Sequence, residues 1–423
     1  MIDTQLNLLD FDRPFARFSE LIGAHVWRSR VRLIRQAVAG NPYAEGYLTK
    51  ENELCLALEE LTDISERMGR FPLTLRKKRH LFFAMAFVAQ AVSLYEAVDE
   101  LSGNQLFRRI VGAIKNDPED VRALQVELIV ATHFLRVGFK VVFPDLNGDE
   151  RFDLLLRADD GREVEVECKF LSKDKGRKVH YRDLLDLYKD VAPFLRSYIS
   201  ASSTDLVIEV VVPDRFPSDL RLKKEIAKRI RDAVEGQQSA PDESLARILT
   251  RRPSPLDFQP SGKRDVDRAI FDEISGTNNK PVLFLRNAKG CFVLLVVASD
   301  KRDSIFESMY KTLSRAASCQ LTHARPAIIA AALDDVRVPQ LVRVAASEAG
   351  PDVAANTLQV IASRLMAARH NEHLVSVCFL SESELGVRTA GQTGSEGSVY
   401  YFNNEDSPYW GSGFDFGFSK LRA

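Results

Sequence analysis

The sequence predicts an α/β protein with a long helical lead-in, and three observations carry that assignment. Residues 1–117 show apolar positions at helical spacing, as in Leu54, Leu56, Leu58 and Leu61 and again in Leu81, Met85, Val88 and Val92, with no strand signal between them. Residues 118–212 then alternate helix and strand patterns in the order αβββαβ. Beyond a polar stretch bearing Pro241, Pro253, Pro255 and Pro260, strand and helix patterns resume. The expected division is a helical N-terminal region (1–117), an α/β core (118–235), a linker (236–264) and a second α/β region (265–423).

The core is justified element by element. A helix is expected over 118–137, followed by strands at 140–143, 151–157 and 163–170, a helix over 181–200 and a strand at 205–212. Hairpin-length connections join the first three strands, whereas a helix-length connection precedes the last, which is what a parallel neighbour requires. The outcome is a mixed sheet. In the second region, strands at 281–285 and 291–298 flank a turn and read as a hairpin, followed by a helix near 304–317, a strand at 326–332, a helix over 354–369 and a strand at 374–380.

Composition limits the function classes. With 45% hydrophobic and 28% charged residues in 423, the chain is globular and can bury a large core. A net charge of −1 confines any nucleic-acid contact to local basic patches. The five cysteines have no paired spacing, which argues against zinc ribbons and disulfide frameworks and for a reducing cytoplasm. Residues 81–95 are too short an apolar run to span a bilayer and read as a core helix, and residues 1–4 do not open a signal peptide. No Walker loop, Rossmann glycine fingerprint or Gly-x-Ser-x-Gly elbow is present.

The chemistry concentrates between residues 151 and 170. Polar residues occupy the odd positions from Glu163 to Lys169, so Glu163, Glu165, Glu167 and Lys169 share one face of a strand. Asp153 is a lone acid in an apolar strand, separated from them by the Asp159-Asp160-Gly161 turn, and such an acid requires a partner or a metal. One strand, a tight turn and a return strand can bring Asp153 and Glu167 side by side. Two carboxylates can hold a hard cation such as Mg²⁺, and Lys169 on the same face can position or polarise an attacking water. Glu127 occupies an apolar position among Leu124, Leu128, Ala131 and Leu135, either as a further member of the site or as an acid paired with a nearby arginine. The bland alternative for the strand residues is a cross-strand salt-bridge ladder. Glu165 competes with Glu167 as the metal ligand, and Glu167 is favoured because it stands two residues before the lysine.

Asp153, the Glu167-Cys168-Lys169 triplet and the αβββαβ order resemble the PD-(D/E)XK nuclease superfamily, which has the restriction-endonuclease-like fold. The resemblance covers about residues 118–215. It implies a hydrolase cleaving phosphodiester bonds of nucleic acid, DNA in preference to RNA, in a restriction or defence setting. It also implies Mg²⁺, replaceable by Mn²⁺, held by Asp153, Glu167 and Glu127, with Lys169 assisting the nucleophile. Phe152 stands where that superfamily often has proline, and the Gln-x-x-x-Tyr element of its RecB-like branch is missing.

Lys173, Lys175, Arg177, Lys178 and Arg182 follow the triplet and are expected to contact phosphates, the alternative being a solvated loop. The basic run Arg221, Lys223, Lys224, Lys228, Arg229 and Arg231 reads as a solvated helix face. The aromatic residues from Tyr400 to Phe418 are expected to close a core, and His370 and His373 to lie at the surface. The partners expected are nucleic acid and no membrane, with the helical N-terminal region available for self-association or a partner subunit. The competing function is a catalytically silent nuclease-like scaffold that binds nucleic acid or a partner protein.

Overall fold

The computed structural model describes residues 2–7, 10–237, 244–252, 281–346, 356–382, 384–389 and 392–410. The protein is a mixed α/β structure whose chain divides into two compact units, Met1–Arg35 with Thr49–Lys175 and Phe306–Ala423, and Gln36–Leu48 with Gly176–Ile305. This division departs from the one expected: the N-terminal helices share a unit with the candidate site, and the second unit is built largely from an insertion between the two halves of the first. Residues 247–251, placed by sequence in a linker, form a strand, and much of the remaining linker lies outside the described residues.

The first unit contains the helices α1 (Glu100–Lys115) and α2 (Pro118–Val137), the strand β1 (Lys140–Val142), a short helix α3 (Pro144–Asn147), the strands β2 (Leu154–Arg157) and β3 (Glu163–Leu171), the helix α4 (Ile305–Cys319) and the strands β4 (Ala327–Arg337), β5 (Leu374–Glu382) and β6 (Val399–Asn403). The six strands lie side by side in chain order. β1, β2 and β3 are antiparallel, β3, β4 and β5 are parallel, and β6 returns antiparallel to β5.

Local chemistry explains these boundaries. Asp117 caps α2 by accepting from the Glu119 amide at 3.0 Å, Pro118 occupies the first turn, and Gly138 ends the helix at φ 103°. Gly161, at φ 84°, turns β2 into β3 beside Asp160, whose carboxylate accepts from the Arg162 amide at 3.1 Å. Leu124, Leu128 and Ala131 of α2 pack with Val164, Val166 and Cys168 of β3 in one core, which leaves Glu165 and Glu167 on the opposite face of the strand.

The expected parallel neighbour of β3 is not residues 205–212. That place is taken by β4, which follows α4 in the chain. Both candidate strands are predominantly apolar, and periodicity cannot distinguish which sheet such a strand joins. A second correction falls in the N-terminal region, where Ile2–Asn7 form a strand antiparallel to Gln392–Gly397. A partner almost 400 residues away leaves no local signal.

In the second unit, Leu206–Val212 pairs in parallel with Phe292–Ser299 and antiparallel with Arg247–Arg251. Val282–Arg286 and Phe292–Ser299 form the expected hairpin. The helices Tyr181–Ala201 and Leu220–Val234 pack with this sheet in a separate core containing Leu187, Leu195, Ile208, Val210, Ile226 and Leu295. Lys223 belongs to this interior and not to a solvated face: it is 2% exposed and donates to Asp183 and Asp186 at 2.8 Å each.

Candidate active site

The strand pairing brings the sequence-predicted acids together. Leu154 faces Val166 in the antiparallel register, so Asp153, just before β2, comes next to Glu167. Asp153 accepts from the Cys168 amide at 2.7 Å, which fastens its carboxylate to β3. Glu167 is fully buried and is hydrogen-bonded through Oε1 to the Lys169 ammonium; its Oε2 has no partner. Glu127 approaches from α2, also buried, with Oε1 held by Arg109 of α1 at 2.6 Å and Oε2 unpartnered. Arg109 binds Asp145 of α3 at 2.7 Å with its other prong.

These groups share one electrostatic environment. Burial, then the charge of Asp153, pushes the Glu167 carboxyl up to about 8. Burial, followed by Asp153, also raises Glu127, with Asp145 and Glu167 adding to the effect and Arg109 opposing it. Burial raises Asp153 and Asp145. Burial works against the Lys169 ammonium, but Glu167 and Asp153 outweigh it and its pKa is raised. The two acids thus hold Lys169 in its ammonium form.

The pair Glu165 and Glu167 resolves into two roles. Glu165 is as buried as Glu167, but it accepts from the Thr322 amide at 2.8 Å, from the Thr322 hydroxyl and from Arg325 at 3.0 Å. These bonds tie β3 to the segment that leads into β4, so Glu165 is a structural acid. The ladder anticipated as the bland alternative exists at Glu163, which pairs with Arg157 at 2.8 Å and Arg325 at 2.9 Å.

Glu127 is paired with an arginine, one of its two expected readings, and feels the charges of Asp153, Asp145 and Glu167. Arg109 and Asp145 had no motif to announce them. Two arginines, Arg108 and Arg109, stand between the buried Phe107 and Ile110, and nothing in the sequence says which of them turns inward.

The five basic residues expected to contact phosphates divide between the units. In the first, Lys173 is engaged by Asp334 through its amide at 3.1 Å and by Asp335 through its ammonium at 3.7 Å. Lys175 is half-buried, and its pKa is lowered by burial, opposed by Glu119 and reinforced by the charge of Lys169. In the second, Lys178 pairs with Asp214 at 2.7 Å, Arg177 is half-buried, and Arg182 is exposed at the start of its helix. Of the five, Lys175 is the one whose charge acts on Lys169.

His373 is not at the surface. It is 1% exposed and stacks on His323 with ring centroids 4.0 Å apart, and burial followed by His323 depresses its pKa to about 4. Its carbonyl accepts from the Ala327 amide at 2.8 Å, which draws the residue into the end of the sheet. Tyr401, Tyr409 and Trp410 pack against the core that holds α2 and β3, as expected, and Tyr400 is buried, while Phe414, Phe416 and Phe418 lie outside the described residues.

Among the described residues, no three His, Cys, Asp or Glu side chains form a ready-made metal shell. Arg109 and Lys169 occupy one oxygen each of Glu127 and Glu167. The other oxygen of each is buried and unpartnered, and once its carboxyl gives up the proton such an oxygen fits a hard cation. No helix among the described residues is long and apolar enough to cross a membrane. The chain matches no protein-family model, no curated protein and no solved structure.

Proposed function

We infer that the chain is a divalent-metal-dependent nuclease that hydrolyses phosphodiester bonds, with DNA the favoured substrate, and that its site is of the PD-(D/E)XK type. The observation that carries this is Asp153 held beside Glu167 and Lys169 by the β2–β3 register, with Glu127 in electrostatic reach and an unpartnered buried oxygen on each of the two glutamates. An interior seldom tolerates mutually repelling carboxylates whose oxygens lack partners, and positive charge from outside the chain would relieve both costs. The order α2, three antiparallel strands, α4 and parallel β4 also supports a superfamily-type core.

Asp153, Glu167 and Glu127 would hold Mg²⁺ or Mn²⁺. When bound, such an ion would supply Lewis acidity toward a phosphoryl oxygen and toward water. The chain's own residues do the remainder. The Cys168 amide fixes Asp153, and the Lys169 ammonium orients water and stabilises negative charge building on the phosphoryl group. Lys175 offers a further positive charge for the adjoining phosphate.

The test is cleavage of plasmid, linear duplex and single-stranded DNA and of RNA with Mg²⁺ or Mn²⁺, comparing the wild type with Asp153→Ala and Lys169→Ala. Loss of cutting in both variants with melting curves retained is expected. Equal cleavage by all three proteins would exclude the site, and no cleavage by the wild type would favour the silent scaffold.

A further inference from the structure

We propose that Arg109 is a positioning residue: anchored by Asp145, it holds Glu127 so that one oxygen of that buried carboxylate is presented to a divalent cation. The proposal rests on the metal-dependent reading of the same site. The guanidinium uses two different nitrogens, Nη2 to Glu127 Oε1 at 2.6 Å and Nη1 to Asp145 Oδ2 at 2.7 Å. A planar fork bonded at both prongs fixes direction as well as charge, which a lysine ammonium cannot do. The fork ties α2 to α3, the short helix that precedes β2, and so sets Glu127 relative to Asp153.

Charge balance agrees. Glu127, Asp145, Asp153 and Glu167 carry four negative charges when ionised, against the two positive charges of Arg109 and Lys169; the shortfall of two is what one divalent cation supplies. Glu127 is 3% exposed, so it has no bulk water to orient it, and without the arginine nothing described here would fix its rotamer. The opposite role, a surrogate cation that competes for Glu127, makes the opposite prediction, because deleting a competitor tightens binding.

The test is Mn²⁺ binding by the full-length chain, followed by electron paramagnetic resonance and calorimetry, with folding checked by thermal melts. Arg109→Gln and Arg109→Lys should each weaken Mn²⁺ binding by roughly 10- to 100-fold, the range for residues that orient metal ligands. Asp145→Asn, which leaves Arg109 in place, should weaken binding in the same direction and keeps the test open if the arginine variants fail to fold. In a Glu127→Gln background, Arg109→Gln should add nothing further. Unchanged or tighter binding in the folded arginine and Asp145 variants, or additive effects in the double variant, would overturn the proposal while leaving the metal site intact. Absence of Mn²⁺ binding by the wild type would overturn the metal-dependent reading and this inference with it.

Discussion

Asp153 and Cys168 are joined by a 2.7 Å hydrogen bond in which the Cys168 amide donates to Asp153 Oδ2. The bond lies where β2 begins and sets the aspartate beside Glu167, and it can be formed by an uncharged amide as well as by a carboxylate. Asp153→Asn should therefore retain the fold while removing the charge. We expect cleavage to fall about 100-fold or more, with the melting temperature unchanged or raised, measured by single-turnover cleavage and circular dichroism.

Glu167 links the site to stability. Its folded-state pKa, about 8, lies above the ordinary value of 4.5, so the folded protein keeps a proton that the unfolded chain releases. The stability contributed by this group is fully present below about 4.5 and is lost as pH rises toward 8. With chelator present, Glu167→Gln should melt progressively above the wild type as pH increases from 5 to 8, by about 5 °C at the upper end. Adding Mn²⁺ at pH 8 should raise the wild type and not the variant. A constant difference across the range would show that Glu167 does not titrate there.

Glu165 should behave in the opposite way. Glu165→Ala would leave the Thr322 amide and hydroxyl and Arg325 without their acceptor. Because Arg325 is 32% exposed and can regain water, the cost is about 2 kcal/mol and not the full value for breaking a buried pair. Urea denaturation measures it. Purified, folded Glu165→Ala should still cut.

Lys175→Ala should affect substrate binding. We expect KM to rise about 10-fold with kcat little changed, and the slope of log KM against log salt to decrease in magnitude by about one, as for a single lost phosphate contact. Arg182→Ala, at an exposed position in the other unit, is the comparison. An unchanged KM and salt slope for Lys175→Ala would remove Lys175 from the substrate surface.

Much of the site was legible in the sequence because it is local. The alternation from Glu163 to Lys169 sets one face by strand geometry, the Asp-Asp-Gly turn sets the register, and the register places Asp153 beside Glu167. Glu127 was visible as an acid interrupting an apolar helical stripe. Arg109 and Asp145 were not, since their meaning lies in a contact between elements whose spacing in the chain follows no motif. The same limit hid the distinct role of Glu165: in sequence it is equivalent to Glu167, and only Thr322 and Arg325, about 160 residues away, separate the two.

The sequence by itself determined the α/β class, most strands and helices of both units, and the acids and lysine of the candidate site, all consequences of periodicity and short-range turn chemistry. Tertiary structure alone decided that β4 and not Leu206–Val212 lies beside β3, that a second unit interrupts the first, and that Arg109 clamps Glu127. The physical reason is that backbone propensity acts over a few residues, whereas the partner of an apolar strand or a buried charge is chosen by burial and complementarity among segments distant in the chain.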